Sequence, residues 1–205
     1  MTTTLPAIPG CDEDLVRIAR RAYDSPGRHY HAWSHIEACL AEFAQAQQEM
    51  HISEPRTVLI ALLFHDAVYV AGRRDNEALS AQLAGDAMAR HSDASVHERS
   101  AVGELILLTA HHHAHLSLPG DAAIFLDIDL AVLGVDEAAY RAYADGVRQE
   151  FVPSAVTPEA FAEGRSRFLR GLLDQPHIYL TDWMRSRREA SARTNIAREL
   201  QELAG

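Results

Sequence analysis

Lysine is absent from the 205-residue sequence, and all 19 of its cationic side chains belong to arginine. This absence excludes the enzymes that depend on an active-site lysine, namely P-loop nucleotide hydrolases, protein kinases and Schiff-base enzymes. Cysteine is almost as scarce, because only Cys11 and Cys39 occur and they do not form a C-x-x-C pair. Neither a disulfide framework nor a cysteine zinc site is expected, and a reducing cytoplasm is the predicted location.

Positive charge is in deficit, and the formal net charge is -10 at pH 7. Nucleic acid polymers and anionic membranes favour a concentrated basic face, so neither is expected as a partner. No run approaches the roughly 18 apolar residues of a membrane-spanning helix, and residues 1–10 lack the pattern of a signal peptide. A small anionic substrate held through a metal ion remains compatible with this charge.

Strand patterns are also scarce, whereas apolar residues recur at intervals of three and four along almost the whole chain. This periodicity predicts an all-α fold, a compact bundle of about nine helices. Breaker residues place the helices at 12–24, 33–48, 55–70, 75–91, 95–112, 120–133, 136–151, 158–173 and 181–203. One domain is predicted for residues 1–205, with a core at about 12–180 and an outer, partly solvated C-terminal helix at about 181–203. Arg193 and Asn195 are expected to attach that helix to the core.

Two ionisable residues, His65 and Asp66, interrupt an apolar stretch that runs from Ala61 to Tyr69. The helix prediction places both in the middle of a helix, where positions three and four residues away share their faces and are mostly apolar. A buried carboxylate costs several kcal/mol unless it is paired or bound to a metal ion. Neighbouring helices could supply that compensation as well as a metal ion could, so the pair alone leaves both explanations open.

Two further positions favour the metal ion. His35 has small neighbours on its helical face, two alanines and a cysteine, which leave room for an ion and a substrate. Asp127 and Asp129 lie within a second apolar stretch, and residues two apart on a helix project about 200° apart, so only one is expected to face the core well. Asp129 has the bulkier apolar neighbours and is the predicted ligand, whereas Asp127 is a possible hydrogen-bond partner for a ligating histidine.

The predicted metal site combines nitrogen and oxygen donors from His35, His65, Asp66 and Asp129. Such a mixed set, with positions open to water, suits Mn²⁺, Fe²⁺, Co²⁺, Ni²⁺ or Mg²⁺ better than a closed structural zinc site. Either one or two ions are compatible with this pattern. Because an open coordination position is typical of catalytic metals, the site points to an enzyme.

The order His35, then His65 and Asp66, then Asp129 resembles the H…HD…D pattern of the HD superfamily of metal-dependent phosphohydrolases. The likeness extends from about residue 12 to residue 203 and points to one bacterial subgroup of predicted HD phosphohydrolases. It is carried by residues 30–36 (YHAWSHI), 64–69 (FHDAVY), 76–77 (NE), 80–81 (SA), 126–130 (LDIDL) and 192–196 (ARTNI), and by Thr109 with His112. The resemblance implies the same four metal ligands that the burial argument selects.

The resemblance also implies hydrolysis of a phosphoester or phosphoanhydride in a small molecule, with a nucleotide as the expected substrate. In that reaction Asp66 would orient or deprotonate the attacking water. His112 or His31 would supply a proton or hold the leaving group. His112 is singled out from the histidine cluster at 111–115 because many HD domains carry an extra histidine there, whereas its neighbours in the cluster are expected at the surface.

Other candidate residues have a plain structural alternative. Glu77 lies in the first turn of a predicted helix, where an acid stabilises the helix dipole. It is also a candidate for the site, because the subgroup shares an Asn-Glu element and the element closely follows the His-Asp pair. Three arginines could clamp phosphate oxygens or carry ordinary surface charge: Arg28, Arg73 and Arg74.

Two other functions stay open on the sequence alone. Some HD proteins hold two irons and cleave their substrates with O₂, and His112 together with His111 or His31 could supply the additional ligands. A helical nucleotide-binding or regulatory domain without turnover is the non-catalytic alternative. A homodimer is also compatible with the sequence, because the leucine- and alanine-rich helices could bury either a core or a dimer face.

Overall fold

A computed structural model of the protein describes residues 7–110, 118 and 120–204. Over those residues the chain forms nine α-helices and no strand beyond one isolated bridge between Cys11 and Ser92, which confirms the all-α prediction. The helices are α1 (Glu13–Ala22), α2 (Trp33–Glu49), α3 (Pro55–Phe64), α4 (Asn76–His91), α5 (Val96–Leu108), α6 (Gly120–Asp129), α7 (Glu137–Phe151), α8 (Pro158–Leu173) and α9 (Asp182–Glu202). None of the helices in this described part of the chain has the length and apolar character that crossing a membrane requires.

Polar caps and prolines explain why the helices begin where the sequence predicts them. Side-chain oxygens accept hydrogen bonds from first-turn N–H groups at five helices: Asp12 at α1, Ser95 at α5, Asp136 at α7, Thr157 at α8 and Thr181 at α9. Pro55 and Pro158 occupy the first positions of α3 and α8, where a missing N–H costs nothing. Each predicted start agrees with the structure to within one residue.

The end of α3 differs from the prediction in a way that matters for the site. The helix stops at Phe64 rather than near residue 70. His65 is its C-cap residue, and Asp66 lies in the turn that follows. The expectation that both residues lie in the middle of a helix was therefore wrong.

A distant arginine provides the physical reason for this early end. The Arg28 guanidinium donates to the carbonyl oxygens of Asp66 and Ala67, at 2.7 and 2.8 Å. Asn76 then accepts from the N–H of Val70 and donates to its carbonyl, both at 3.0 Å. These side chains satisfy the backbone that a longer helix would otherwise have satisfied, and local periodicity cannot encode partners so far away.

Two other helices end four residues before the predicted residue. α5 ends at Leu108, with Thr109 as its C-cap, instead of continuing to residue 112. α6 ends at Asp129, and the chain then tightens into a 3-10 helix, Leu130–Gly134. This change of helix type occurs directly after the predicted ligand Asp129.

Two clusters of buried apolar side chains form the interior. The first is built from residues of α1 to α6, and the second from the 3-10 helix, α7, α8, α9 and the loop before α9. Ile128 is the last member of the first cluster along the chain, and Ala131 is the first member of the second. Asp129 thus lies in the short segment where the chain passes from one cluster to the other.

The last helix is attached to the body of the protein by polar contacts as well as apolar ones. Asn195 donates to the carbonyl oxygens of Leu133 and Val135, at 3.0 and 2.9 Å. Arg193 donates to three backbone carbonyls in the segment that follows α8. Both residues therefore have the attaching role that the sequence predicts.

Candidate metal centre

The four predicted metal ligands meet at one point in the structure. α2 contributes His35 from its first turn, and α6 contributes Asp129 as its last residue. His65 and Asp66 come from the end of α3 and the turn after it. One donor atom from each side chain lies within 4.8 Å of the other three.

The separations between these donor atoms match those around a single metal ion. His35 Nε2 and His65 Nε2 are 3.1 Å apart, and Asp129 Oδ1 lies 3.1 and 3.2 Å from them. Asp66 Oδ2 is 3.1 Å from His65 Nε2 and 3.8 Å from His35 Nε2. Ligand atoms about 2.1 Å from a shared ion are separated by about 3.0 Å at right angles and about 3.4 Å at tetrahedral angles. The four donors therefore fit a divalent cation at their centre.

Hydrogen bonds on the far side of each imidazole direct Nε2 towards this centre. His65 Nδ1 donates to the Leu62 carbonyl oxygen at 3.0 Å, so Nε2 is the nitrogen that faces the other donor atoms. His35 Nδ1 lies 3.0 Å from the Tyr30 hydroxyl oxygen. Burial raises the pKa of Tyr30 well above its usual value, so this hydroxyl stays neutral. Such outer contacts fix the tautomer and orientation of metal-binding histidines.

The electrostatics of the cluster favour ionised carboxylates. Burial lowers the pKa of His65, but the Asp66 and Asp129 carboxylates outweigh it and hold that pKa well above its ordinary value. Burial raises the pKa of Asp66, whereas the His65 imidazole outweighs it and holds this pKa well below the usual range. Asp66 is therefore an anionic oxygen donor, which is the form that binds a divalent cation.

Asp127 does not contact a ligating histidine, so its predicted role was wrong. Its carboxylate accepts from the backbone N–H of Leu180 at 2.6 Å and from the N–H and hydroxyl of Thr181 at 2.7 and 2.6 Å. These bonds attach α6 to the residues that begin α9. Only 1% of Asp127 is exposed, whereas Asp129 is partly buried, so the better-buried aspartate is not the one predicted to be the ligand.

A cleft of about 450 Å³ opens beside the four donor atoms. Asp66 and Asp129 form part of its wall, so the centre is accessible to a small molecule. His31 and Glu77, two further residues predicted for the site, line the same cleft. His112 and the rest of the histidine cluster at 111–115 lie outside the described residues.

Glu150 holds His31 in place, and no pattern in the sequence indicates this contact. Glu150 Oε2 lies 2.6 Å from His31 Nδ1, and Oε1 accepts from the backbone N–H groups of His29, Tyr30 and His31, each at 2.8 Å. Burial raises the pKa of Glu150, but the hydrogen bond from His31 outweighs it and the net pKa is lowered. The Tyr69 ring stacks on the imidazole with centroids 3.9 Å apart. With Nδ1 bonded to a carboxylate, His31 Nε2 is the nitrogen available to a ligand in the cleft.

The three candidate phosphate-binding arginines are not among the described residues that line the cleft. Arg28 donates to backbone carbonyls, including that of His31 at 2.9 Å, and therefore shapes the loop that carries the site. Arg73 is exposed and pairs with Asp75, and Arg74 is exposed as well. The guanidinium of Arg28 therefore supports the site by binding the backbone carbonyls of His31, Asp66 and Ala67.

In a second group of potential ligands among the described residues, Asp12 and Asp14 are exposed, His91 is partly buried, and Asp12 caps α1. The buried group of two histidines and two aspartates is therefore the candidate metal centre. The functional interpretation rests on its donor set, on the distances between its donor atoms and on its access to a cleft. Comparisons with protein-family models, with curated proteins and with solved structures give no match.

Proposed function

We propose that the protein is a metal-dependent phosphohydrolase of the HD superfamily that holds a divalent ion among His35, His65, Asp66 and Asp129. The supporting observation is the convergence of four donor atoms beside an open cleft, with distances of 3.1 to 3.8 Å between each histidine Nε2 and the other donors. A mixed set of imidazoles and carboxylates suits Mn²⁺, Fe²⁺, Co²⁺, Ni²⁺ or Mg²⁺. The proposed substrate is a small phosphorylated molecule, for which a nucleotide is the prediction from sequence.

A divalent ion at this centre would supply Lewis acidity, which polarises a phosphoryl oxygen and lowers the pKa of water. Asp66 is anionic and lines the cleft, so it can accept a hydrogen bond from the attacking water and orient it. His31 is the proposed proton donor to the leaving oxygen. The Glu150 carboxylate holds Nδ1, so Nε2 is the nitrogen that can donate to the leaving oxygen.

Glu77 is the proposed contact for a neutral part of the substrate. A carboxylate can accept hydrogen bonds from hydroxyl or amine groups, whereas it repels phosphate oxygens. Its place on the cleft wall brings it near the substrate without placing it among the four donors. His112 remains a candidate from the sequence for a substrate contact or a second ion.

Elemental analysis of the purified chain, combined with phosphate release, tests this proposal. The expected result is about one or two divalent ions per chain. Phosphate release is then measured on p-nitrophenyl phosphate, nucleotides and pyrophosphate with added Mn²⁺, Co²⁺, Ni²⁺ or Mg²⁺. His65→Ala and Asp66→Ala should lose both the metal and the activity, whereas His97→Ala, which removes an exposed histidine, should lose neither.

The other outcomes distinguish the two alternative functions. Oxygen consumption by an iron-loaded protein, without phosphate release, would favour oxidative cleavage. Tight binding of a nucleotide without turnover would favour a regulatory domain. A metal-free wild type that stays inactive with every added ion would refute the proposed enzyme.

A further inference from the structure

We propose that the substrate is a phosphomonoester with an apolar alkyl or aryl group, which occupies the inner part of the cleft while the phosphate lies at the metal centre. This inference rests on the proposed phosphohydrolase function and specifies its substrate class. The cleft is polar where Asp66, Asp129 and His31 line it, and largely apolar elsewhere. A ligand that fills both parts must therefore have one anionic end and one apolar end.

The apolar part of the cleft, termed the inner chamber, is formed mainly by α7, α8 and the segment between them. Its side chains are Val132, Val147, Phe151, Val156, Phe161 and Phe168. Apolar ligand surface that enters such a chamber leaves water, which is favourable. The volume of about 450 Å³ for the whole cleft lies within the range of small-molecule sites, roughly 300–1,000 Å³.

The inner chamber contains one arginine among its described lining residues, and that charge is already neutralised. Arg165 Nε and Nη2 donate to the two carboxylate oxygens of Glu199, at 2.7 and 3.1 Å. Its Nη1 donates to the Tyr143 hydroxyl at 3.0 Å. Arg165 and Glu199 are 8% and 7% exposed, so the pair is buried as a unit. The chamber therefore offers no unpaired arginine to a second phosphate group.

The carboxylates that line the cleft also disfavour a polyphosphate. Glu77, Asp66 and Asp129 contribute them, and an ion at the metal centre would compensate only the charge next to it. A nucleoside triphosphate requires additional cations or a set of N–H groups for its outer phosphates. A single phosphate with an apolar group satisfies both ends of the cleft better than the nucleotide predicted from sequence.

Gly164 provides a way to fill the inner chamber without removing any existing contact. It lies within α8 and lines the cleft, and a Cβ added there would meet no atom within 4 Å. Leucine at this position would therefore extend from the wall into free space. Gly85, within α4, offers a matched control, because its added Cβ also meets nothing within 4 Å and it does not line the cleft.

Calorimetric titration of n-alkylphosphonates, from methyl to octyl, into the Mn²⁺-supplemented protein tests the proposal. Affinity should rise by about fourfold per methylene until the chamber is filled. Gly164→Leu should bind octylphosphonate at least about tenfold more weakly than wild type while it binds methylphosphonate equally well, because only the longer chain needs the filled space. Gly85→Leu should behave as wild type with both ligands.

An affinity that does not change along the series, or an equal loss in the two leucine variants, would overturn the proposal. Tighter binding of a nucleoside triphosphate than of octylphosphonate would overturn it as well. Phosphate release from octyl phosphate and p-nitrophenyl phosphate tests the proposed function separately. If the phosphonates bind as expected but no ester is hydrolysed, the ligand class stands and the enzymatic function fails.

Discussion

Asp127 and Asp129 lie two residues apart in α6, yet one carboxylate binds the residues that begin α9 and the other contacts two histidines. Asp127 accepts hydrogen bonds from residues 180 and 181. Asp129 Oδ1 lies 3.1 Å from His35 Nε2 and 3.2 Å from His65 Nε2. The pair separates a structural role from a proposed metal-binding role with the same residue type in the same helix.

Alanine substitution of the two aspartates should therefore give opposite results. Asp129→Ala should reduce the metal content of the purified protein at least about tenfold, because it removes a proposed ligand. Asp127→Ala should keep the metal but lower the free energy of unfolding by about 1–3 kcal/mol, because three buried donors lose their acceptor. Elemental analysis and denaturant unfolding measure the two effects. Equal metal loss in both variants would show that the centre loses its metal whenever α6 is destabilised, whichever aspartate is removed.

This pair also shows how far the sequence could predict the site. The helical angle between residues two apart correctly predicted that the two side chains diverge, and local apolar neighbours pointed to Asp129. The partners of Asp127 could not be predicted, because they lie more than fifty residues later in the chain. Local patterns define faces of helices, whereas the contacts of each face depend on how the helices pack.

Glu150 and the end of α3 illustrate the same limit. Glu150 follows the residue it holds, His31, by 119 positions, and it lies at the end of an amphipathic helix where a solvated acid would be ordinary. The early end of α3 depends on Arg28, which lies 38 residues before Asp66. The starts of the helices were predictable because caps and prolines act locally.

Tyr30 should tune the affinity of the metal centre through His35. Tyr30→Phe removes the hydroxyl that lies 3.0 Å from His35 Nδ1, and metal affinity should fall by about 10- to 100-fold. Tyr140→Phe is the control, because its buried hydroxyl donates to Glu199 at 2.5 Å. That variant should lose stability while its metal affinity stays unchanged. Titration of metal against a chelator of known affinity measures the metal affinity of both variants. An unchanged metal affinity in Tyr30→Phe would refute the proposed orientation of His35.

Glu150 should make the stability of the protein depend on pH in the acidic range. Its folded pKa lies below the ordinary value of 4.5, so the ionised carboxylate stabilises the fold above about pH 4.5. This contribution is lost as the pH falls through the folded pKa. Near neutral pH, Glu150→Gln should be less stable than wild type by about 1–3 kcal/mol, and the difference should shrink below pH 4.5. Urea unfolding between pH 3 and pH 7 measures this, and a difference that does not vary with pH would contradict it.

His31 should matter most for substrates with a poor leaving group. An alkoxide needs a proton as it departs, whereas p-nitrophenolate leaves without one, so a proton donor assists the two esters unequally. His31→Asn should lower kcat for octyl phosphate by about 10²- to 10⁴-fold and for p-nitrophenyl phosphate by less than about tenfold.

A positioning role for His31 would produce a different pattern. If His31→Asn lowers kcat/KM to the same extent for both esters, His31 binds the phosphate rather than protonating the leaving group.

Glu150→Gln separates these roles further, because it leaves the His31 imidazole in the chain while removing the carboxylate at Nδ1, 2.6 Å away. A proton donor that depends on Glu150 predicts that Glu150→Gln also lowers kcat more for octyl phosphate than for p-nitrophenyl phosphate, by a smaller factor than His31→Asn does. Equal kcat values for wild type and Glu150→Gln on both esters, with only a raised KM, would instead mean that Glu150 does no more than hold the loop at residues 29–31.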